Sequence, residues 1–163
     1  MSRIFKLLIV IYFVSTVDIG VLAQQVSIAT NLTSKLNCSD SWKITISTKA
    51  LDKKIDTQMS WGSEPGIIPK NSLNLLKIEY KGQILINGYS GTPKLFNLSK
   101  IEMDCSDTSK LILKISGGDA GTSYVASFTY DKEQLLSRHI YSGEFPDEVW
   151  EKTTYSSVNK LEN

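Results

Sequence analysis

The chain of 163 residues is poor in the residue types that metal and catalytic sites use most. It has one histidine, two cysteines and four prolines. The two cysteines would need two more ligands to form a zinc site, and the chain has a single histidine. No Pro-rich linker, internal repeat or low-complexity tract divides the sequence. We therefore expect one domain, with no metal and no other cofactor.

An excess of charge of one sign is also lacking. The 18 Lys and Arg residues balance the 17 Asp and Glu residues, for a formal net charge of +1. Basic residues are scattered among acidic ones, without the stripe that phosphate backbones or anionic lipids require. The composition therefore predicts that the chain does not bind nucleic acid.

Long hydrophobic runs are absent as well, and the N-terminal apolar run is short. Arg3 and Lys6 precede Leu7–Val14, and Ala23 lies at a suitable cleavage point. Eight apolar residues are too few to cross a bilayer, which takes about 20 in a helix. The pattern predicts a signal peptide at residues 1–23 and an exported, soluble product without a transmembrane anchor, in a bacterial periplasm or secreted.

The sequence after the signal divides into one domain and a tail. We predict a single β domain at residues 24–155 and a flexible C-terminal tail at residues 156–163. About 140 residues can bury roughly two thirds of the surface of the unfolded chain, so one hydrophobic core is enough.

Both cysteines lie in the predicted exported part of the chain. An oxidising compartment favours a disulfide between Cys38 and Cys105. The chain-entropy model gives such a long loop on the order of 4 kcal/mol of stabilisation. A redox pair would normally have its cysteines two residues apart, so we expect a structural bond.

Apolar residues recur with period two, which is typical of half-buried strands. Trp42, Ile44 and Ile46 alternate with polar residues, and Lys81-Gly82 separates two alternating segments as a hairpin turn does. Further strands are predicted at Ile101–Cys105, Leu111–Ile115, Tyr124–Tyr130, Leu136–Ile140 and Val149–Tyr155. The segment 51–60 fits a short helix or a loop, and 61–69 fits an irregular connection.

These segments predict an all-β fold. We expect about seven to nine mostly antiparallel strands joined by hairpins, arranged as a meander sandwich or a small barrel. One disulfide would close this domain.

The Gly-rich segment Ser116–Tyr124 is the best site candidate in the sequence. It lacks the Lys that a P-loop requires and the glycine spacing of an esterase elbow. A flexible hairpin connection without a function is the simpler interpretation. The alternative is a protruding recognition loop for a protein partner, in which the backbone bends at glycines and polar and aromatic side chains make contacts. Its predicted binding residues are Gly117, Gly118, Asp119, Thr122, Ser123 and Tyr124.

In composition this loop resembles the Ser-Gly-x-x-Tyr loop of some bacterial inhibitors of animal-type lysozymes, which enters the enzyme's cleft. The resemblance covers nine residues. It departs from the motif where Ala120 stands at the position of the tyrosine. The resemblance implies inhibition by occlusion.

Other candidates are less specific. Any catalysis that uses a histidine must use His139, the only histidine in the chain. By strand alternation His139 lies on the same side as Ser137 and Tyr141. Four aromatic residues near the C-terminus fit a core or a ligand platform, and three aspartates offer oxygens for calcium without EF-hand spacing. The aromatic residues are Tyr141, Phe145, Trp150 and Tyr155, and the aspartates are Asp104, Asp107 and Asp119. In a eukaryotic cell, glycosylation acceptors would be Asn31, Asn37 and Asn97.

Three functions follow from these residues. The first is an exported binding module of unknown partner, such as an inhibitor or immunity-type protein that acts by occlusion through the Gly-rich loop. The second is a small cell-envelope hydrolase that uses His139. The third is a structural part of an envelope assembly. Because the sequence contains no established catalytic motif, we predict no catalytic residue and favour the binding module.

Overall fold

The computed structural model describes residues 24–27, 33–52, 60–85 and 95–156. This part of the chain forms ten strands and one short 3₁₀ turn at Ala120–Thr122. The all-β prediction is confirmed. The predicted signal peptide, most of the segment 51–60 and nearly all of the tail lie outside the described residues. The strands are β1 Gln24–Ser27, β2 Thr33–Asn37, β3 Trp42–Ala50, β4 Asn71–Tyr80, β5 Gln83–Ile84, β6 Leu98–Asp104, β7 Leu111–Gly117, β8 Tyr124–Tyr130, β9 Leu135–Ser142 and β10 Val149–Thr154.

The strands form two antiparallel sheets. One has six strands in the order β1-β6-β7-β8-β9-β10, and the other has four in the order β2-β3-β4-β5. Apart from the pairing of β1 with β6, neighbours in space are neighbours in sequence. The predicted meander of hairpins is therefore confirmed in its two-sheet form.

The inner faces of the two sheets share one hydrophobic core. Trp42, Ile44 and Ile46 of β3 alternate inward, as the period-two pattern predicts. From the other sheet, Leu113 and Phe128 are almost completely buried against them. Each such side chain contributes on the order of 2 kcal/mol of transfer free energy.

One irregularity changes the predicted face of β9. The sequence places Leu136, Arg138 and Ile140 on one side, but the register shifts between Thr129 and Tyr130 of the paired strand. Leu135 consequently enters the core in place of Leu136. Arg138 and Ile140 do face inward, and the Arg138 guanidinium forms an ion pair with Glu151 of β10. This pairing accounts for a charged residue in an otherwise apolar row.

One end of the two sheets is closed by the predicted disulfide. Cys38 follows β2 and Cys105 follows β6, and their bond joins the two sheets with a Cα–Cα distance of 6.2 Å. The loops between β6 and β7 and between β8 and β9 lie at this end. We call it the disulfide end.

Aspartate side chains brace the turns of the disulfide end. Asp107 Oδ1 accepts hydrogen bonds from Ser109 Oγ at 2.6 Å and from Ser109 N at 2.8 Å. These bonds hold the pKa of the Asp107 carboxyl below its ordinary value. Asp131 Oδ1 likewise accepts from the backbone N–H groups of Glu133 and Gln134, each at 2.8 Å. Each turn thus satisfies part of its own backbone.

The opposite end is where Leu98 begins β6, Gly117 ends β7 and Tyr124 begins β8. Six residue steps along β6 separate the two ends by roughly 20 Å at about 3.3 Å per residue. Asn71 joins the sheets here, since its side chain donates to Leu98 O at 3.1 Å and accepts from Leu98 N at 2.7 Å. No helix in the described part of the chain is long and apolar enough to span a membrane.

Candidate functional site

An open cavity of about 430 Å³ lies at the end opposite the disulfide. Two stacked tryptophans form part of its wall, with ring centroids of Trp61 and Trp150 5.6 Å apart and an interplanar angle of 17°. We call it the tryptophan pocket, and we call this end of the molecule the pocket end. Its lining residues are Ser60, Trp61, Gly62, Ser63, Gly121, Thr122 and Trp150.

A β-bulge delivers Trp150 to the pocket. In the pairing of β10 with β9, Val149 lies opposite Tyr141 and Glu151 lies opposite Ile140, so Trp150 is the extra residue. A bulge redirects the side chain at that point and interrupts the regular alternation. Trp150 is half-buried, packs on the edge of the core and meets Trp61.

Trp61 is held by the segment that crosses from one sheet to the other. Phe96 N donates to Trp61 O at 2.9 Å, and Trp61 forms an isolated parallel bridge with Leu95. The next residue, Gly62, has a φ of +81°. A Cβ at Gly62 would lie 2.4 Å from the Tyr124 ring and 2.5 Å from Phe96 O. Glycine therefore lets this backbone pass close to the core and turn Trp61 to the surface.

Asn97 fixes the loop on the other side of Trp61. Its Nδ2 donates to Gly62 O at 2.8 Å, and its Oδ1 accepts from Lys70 N at 2.7 Å. Asn97 itself has a φ of +50°, which asparagine tolerates better than most residues. The side chain is thus a brace for the pocket wall.

The three predicted glycosylation acceptors have different surroundings. Asn97 uses its Nδ2 to donate to Gly62 O. Asn37 is exposed at the end of the edge strand β2. Asn31 lies outside the described residues. Glycosylation stays a prediction at all three.

The Gly-rich segment contributes to the pocket in two layers. Gly117, Gly118 and Tyr124 form the layer beneath it. Gly118 N donates to Asn97 O at 3.1 Å, and Tyr124 Oη donates to Phe96 O at 3.1 Å. A Cβ on Gly117 would lie 2.7 Å from Tyr124 Oη. These residues position the loop that carries Trp61.

The predicted role of Tyr124 is corrected by this arrangement. We expected an aromatic anchor for a partner, but only 1% of Tyr124 is exposed. Burial also raises its pKa above the ordinary tyrosine value. Because β8 begins at Tyr124 and alternates from there, its ring points into the core. Gly117 is also buried, so neither residue can contact a partner.

The upper layer is the 3₁₀ turn and its flanks. Thr122 Oγ1 donates to Asp119 O at 2.8 Å and accepts from Asp119 N at 3.2 Å, which ties the turn to itself. Asp119 is exposed, and Ser123 O accepts from Gly143 N at 2.8 Å in the next loop. Of the predicted binding residues, Thr122 lines the pocket, together with Gly121, which the prediction omitted.

His139 lies away from this pocket, on the outer face of the six-stranded sheet. Its Nδ1 is 3.0 Å from Tyr141 Oη, so the predicted shared side is correct. Across the neighbouring strands it faces Ser127 and Lys152. The structure gives its ring no carboxylate partner among the described residues.

The suggested calcium ligands are not together. Asp104 and Asp107 lie at the disulfide end, and Asp119 lies at the pocket end, beyond the other end of β7. The pKa of Asp104 is lowered by the hydrogen bond from the backbone of Ser106, as expected for a turn residue. Among the residues that the structure describes, no three His, Cys, Asp or Glu side chains are grouped as a metal ion requires.

The central residue of the site, Trp61, was not among the predicted binding residues. It stands in a turn-rich segment that we interpreted only as a connection. The signal available was a large aromatic residue directly before glycine in a polar loop, where a tryptophan needs a packing partner from elsewhere in the chain. Comparison of the chain with protein-family models, with curated proteins and with solved structures gives no match.

Proposed function

We propose that this chain is an exported binding module that recognises a protein partner with its pocket end. Occlusion of the partner's own site is the mode of action that best suits such a module. The observation that carries the proposal is the stacked pair Trp61–Trp150 at the wall of an open cavity. Tryptophan is among the residue types enriched at binding hot spots, because it offers a large contact area with few rotatable bonds.

The support for the pocket is rigid, which favours recognition. The carbonyl of Trp61 accepts a backbone hydrogen bond from Phe96 N, and the next carbonyl, of Gly62, accepts one from the Asn97 side chain. Trp150 is positioned by a bulge in its strand, and Thr122 ties the 3₁₀ turn. A preorganised site loses less conformational entropy on binding than a mobile loop would.

Export is supported by two features. The predicted signal peptide would direct the chain out of the cytoplasm, and the Cys38–Cys105 bond is of the kind that persists in oxidising compartments. The disulfide joins the two sheets and so stabilises the domain outside the cell, where thiols are not kept reduced.

The test is affinity capture from envelope and culture fractions of the source cells, followed by mass spectrometry. The variants are Gly121→Phe and its matched control Gly121→Ala. A Cβ at Gly121 meets nothing within 4 Å, and this glycine does not have a positive φ, so both variants should fold. Because Gly121 lines the cavity, we expect a phenylalanine ring there to occupy part of its mouth and a methyl group to leave it open.

We expect wild type and Gly121→Ala to retain the same partner. Gly121→Phe and Trp150→Ala should weaken its retention about tenfold or more, equivalent to about 1.4 kcal/mol. Urea denaturation of each variant checks that it is folded. Capture of no protein by the wild type, or equal capture by all four forms, would overturn the proposal.

A further inference from the structure

We infer that the pocket end takes a basic segment of a protein, with a lysine or arginine side chain against the tryptophan pair. The inference rests on the proposed function and names the chemistry of the partner. It follows from three properties of the surface around the pocket: its exposed apolar side chains, its charge and the aromatic rings themselves.

Exposed apolar side chains concentrate in the two segments that supply the tryptophans. Ile67 and Ile68 follow Trp61 in the same connection, and they are 55% and 44% exposed. Phe145 and Val149 precede Trp150 in the β9–β10 loop and at the start of β10, and they are 62% and 49% exposed. Of the six large apolar side chains that are most exposed among the described residues, these are four. Apolar residues grouped with a cavity mark a surface for a macromolecule.

The two hairpin loops beside the pocket are acidic. Residues 118–123 contain Asp119, and residues 143–148 contain Glu144, Asp147 and Glu148, with no Lys or Arg in either loop. All four acidic residues are exposed. Asp119 lies two residues before Gly121, and Glu148 lies two residues before Trp150. The connection 60–70 adds Glu64 and Lys70, which offset each other.

The acidic residues of the two ends are used differently. At the disulfide end, Asp104, Asp107 and Asp131 accept backbone hydrogen bonds within their turns. In the described structure, the carboxylates of Glu144 and Asp147 have no hydrogen bond or ion pair. Uncompensated charge around an apolar pocket complements a cationic partner and steers its approach.

The tryptophan pair suits the same partner. The face of an indole ring attracts a lysine or arginine cation within about 6 Å, more strongly than the other aromatic rings do. A basic side chain laid on Trp61 or Trp150 would have its charge stabilised by the ring and by the nearby loop carboxylates. Its methylene groups would contact the exposed apolar side chains of the two segments that carry the tryptophans.

The test is selection of a random twelve-residue peptide library, displayed on phage, against the oxidised protein. Enriched peptides are then synthesised and titrated at low and high salt. The acidic loop is altered in Glu144→Lys/Asp147→Lys. The matched control is Asp40→Lys/Glu133→Lys, which reverses two exposed charges at the disulfide end.

We expect the enriched peptides to carry several Lys or Arg residues next to apolar ones. Their affinity should fall about tenfold or more in Glu144→Lys/Asp147→Lys and in 0.5 M salt, because both remove the attraction of exposed charges. The control variant should bind within about twofold of wild type.

Two results would overturn the inference, and they differ in what they say about the proposed function. Neutral or acidic peptides that compete with each other and lose affinity in Gly121→Phe would keep a protein-binding pocket but exclude a basic partner. If no enriched peptide depends on the pocket, the inference of a basic segment fails, and the capture experiment alone decides whether the proposed function stands. Pocket-dependent retention on a neutral polysaccharide in that case would indicate a sugar ligand instead.

Discussion

The two ends of this domain are closed in different ways. At the disulfide end, Cys38 and Cys105 join the sheets covalently, and aspartates such as Asp107 satisfy the backbone of each turn. At the pocket end, the sheets are joined without a covalent bond, by the side chain of Asn71 and by closely packed backbone at Gly62 and Gly117.

The comparison shows two different ways to close the ends of one small domain. The covalent end carries short turns at the surface, and aspartate side chains accept backbone hydrogen bonds in two of them. The pocket end uses glycines where the backbone approaches Tyr124 and Phe96, and this brings Trp61 and Trp150 together at the surface. The stability of that end depends on close packing of the backbone at its glycines, and the same packing forms the wall of the pocket.

The largest expected effect comes from breaking the covalent end. Cys38→Ala/Cys105→Ala should lose about 4 kcal/mol of the free energy of unfolding, because the bond restricts a long loop of the unfolded chain. Urea denaturation with and without the bond measures this. Since the pocket lies roughly 20 Å away along β6, its indole NMR signals should be unchanged in the folded fraction. A loss below about 1 kcal/mol would contradict the entropic account.

A smaller effect is expected when closely packed glycines are replaced. Gly62→Ala adds a Cβ 2.4 Å from the Tyr124 ring at a φ of +81°, and Gly118→Ala adds one 2.2 Å from Thr122 O at +79°. Each should cost about 3 kcal/mol, from backbone strain and overlap together.

Gly82 provides the matched control for this experiment. It lies in the Lys81-Gly82 turn with a φ of +82°, but a Cβ there meets nothing within 4 Å. Gly82→Ala should therefore cost only the strain of positive φ, about 1 kcal/mol. Thermal or urea denaturation of the three variants gives the difference. Equal costs would mean that close packing at the pocket end contributes little.

An effect that is absent at neutral pH, a loss of stability in alkali, involves both ends. Burial raises the pKa of Tyr124 at the pocket end and of Tyr130 at the disulfide end above their value in the unfolded chain. The folded state then holds protons that the unfolded state releases. The free energy of unfolding keeps its full value below about pH 10. Above that pH it falls by up to about 1.4 kcal/mol per pH unit for each tyrosine.

Single substitutions separate the two tyrosines. Tyr124→Phe and Tyr130→Phe should each reduce the steepness of the loss above about pH 10 by up to half, because burial also raises the pKa of Tyr155. Tyr124→Phe should also cost about 1 kcal/mol at neutral pH, because the hydrogen bond to Phe96 O is lost. Urea denaturation across the pH range measures both terms. An unchanged alkaline slope in both variants would show that these side chains do not carry it.

Much of the fold could be predicted from sequence because buried and exposed residues alternate strictly in the central strands. Leu111, Leu113 and Ile115 of β7 are all fully buried, as their spacing indicates. The prediction omitted β1 and β2. In β2 only Leu36 is buried, so an edge strand of this kind leaves almost no periodic signal.

The pocket could not be predicted in the same way. The Gly-rich loop was identified, but its aromatic residue Tyr124 faces the core, while the residues that make the surface are Trp61 and Trp150. Their meeting depends on a crossing segment at 95–97 and on one extra residue in β10. Neither a bulge nor a contact between distant loops has a local sequence pattern, so the sequence alone could not bring the two tryptophans together.

The stacking of Trp61 on Trp150 also gives the molecule an optical property of its own. Two indoles at 5.6 Å and 17° share their excited states, so their ultraviolet transitions couple and produce a paired circular dichroism band. The sign and size of such a band depend on the mutual orientation of the rings. Any ligand that tilts either ring will therefore change the sign or the size of this band, so its binding can be followed without a label.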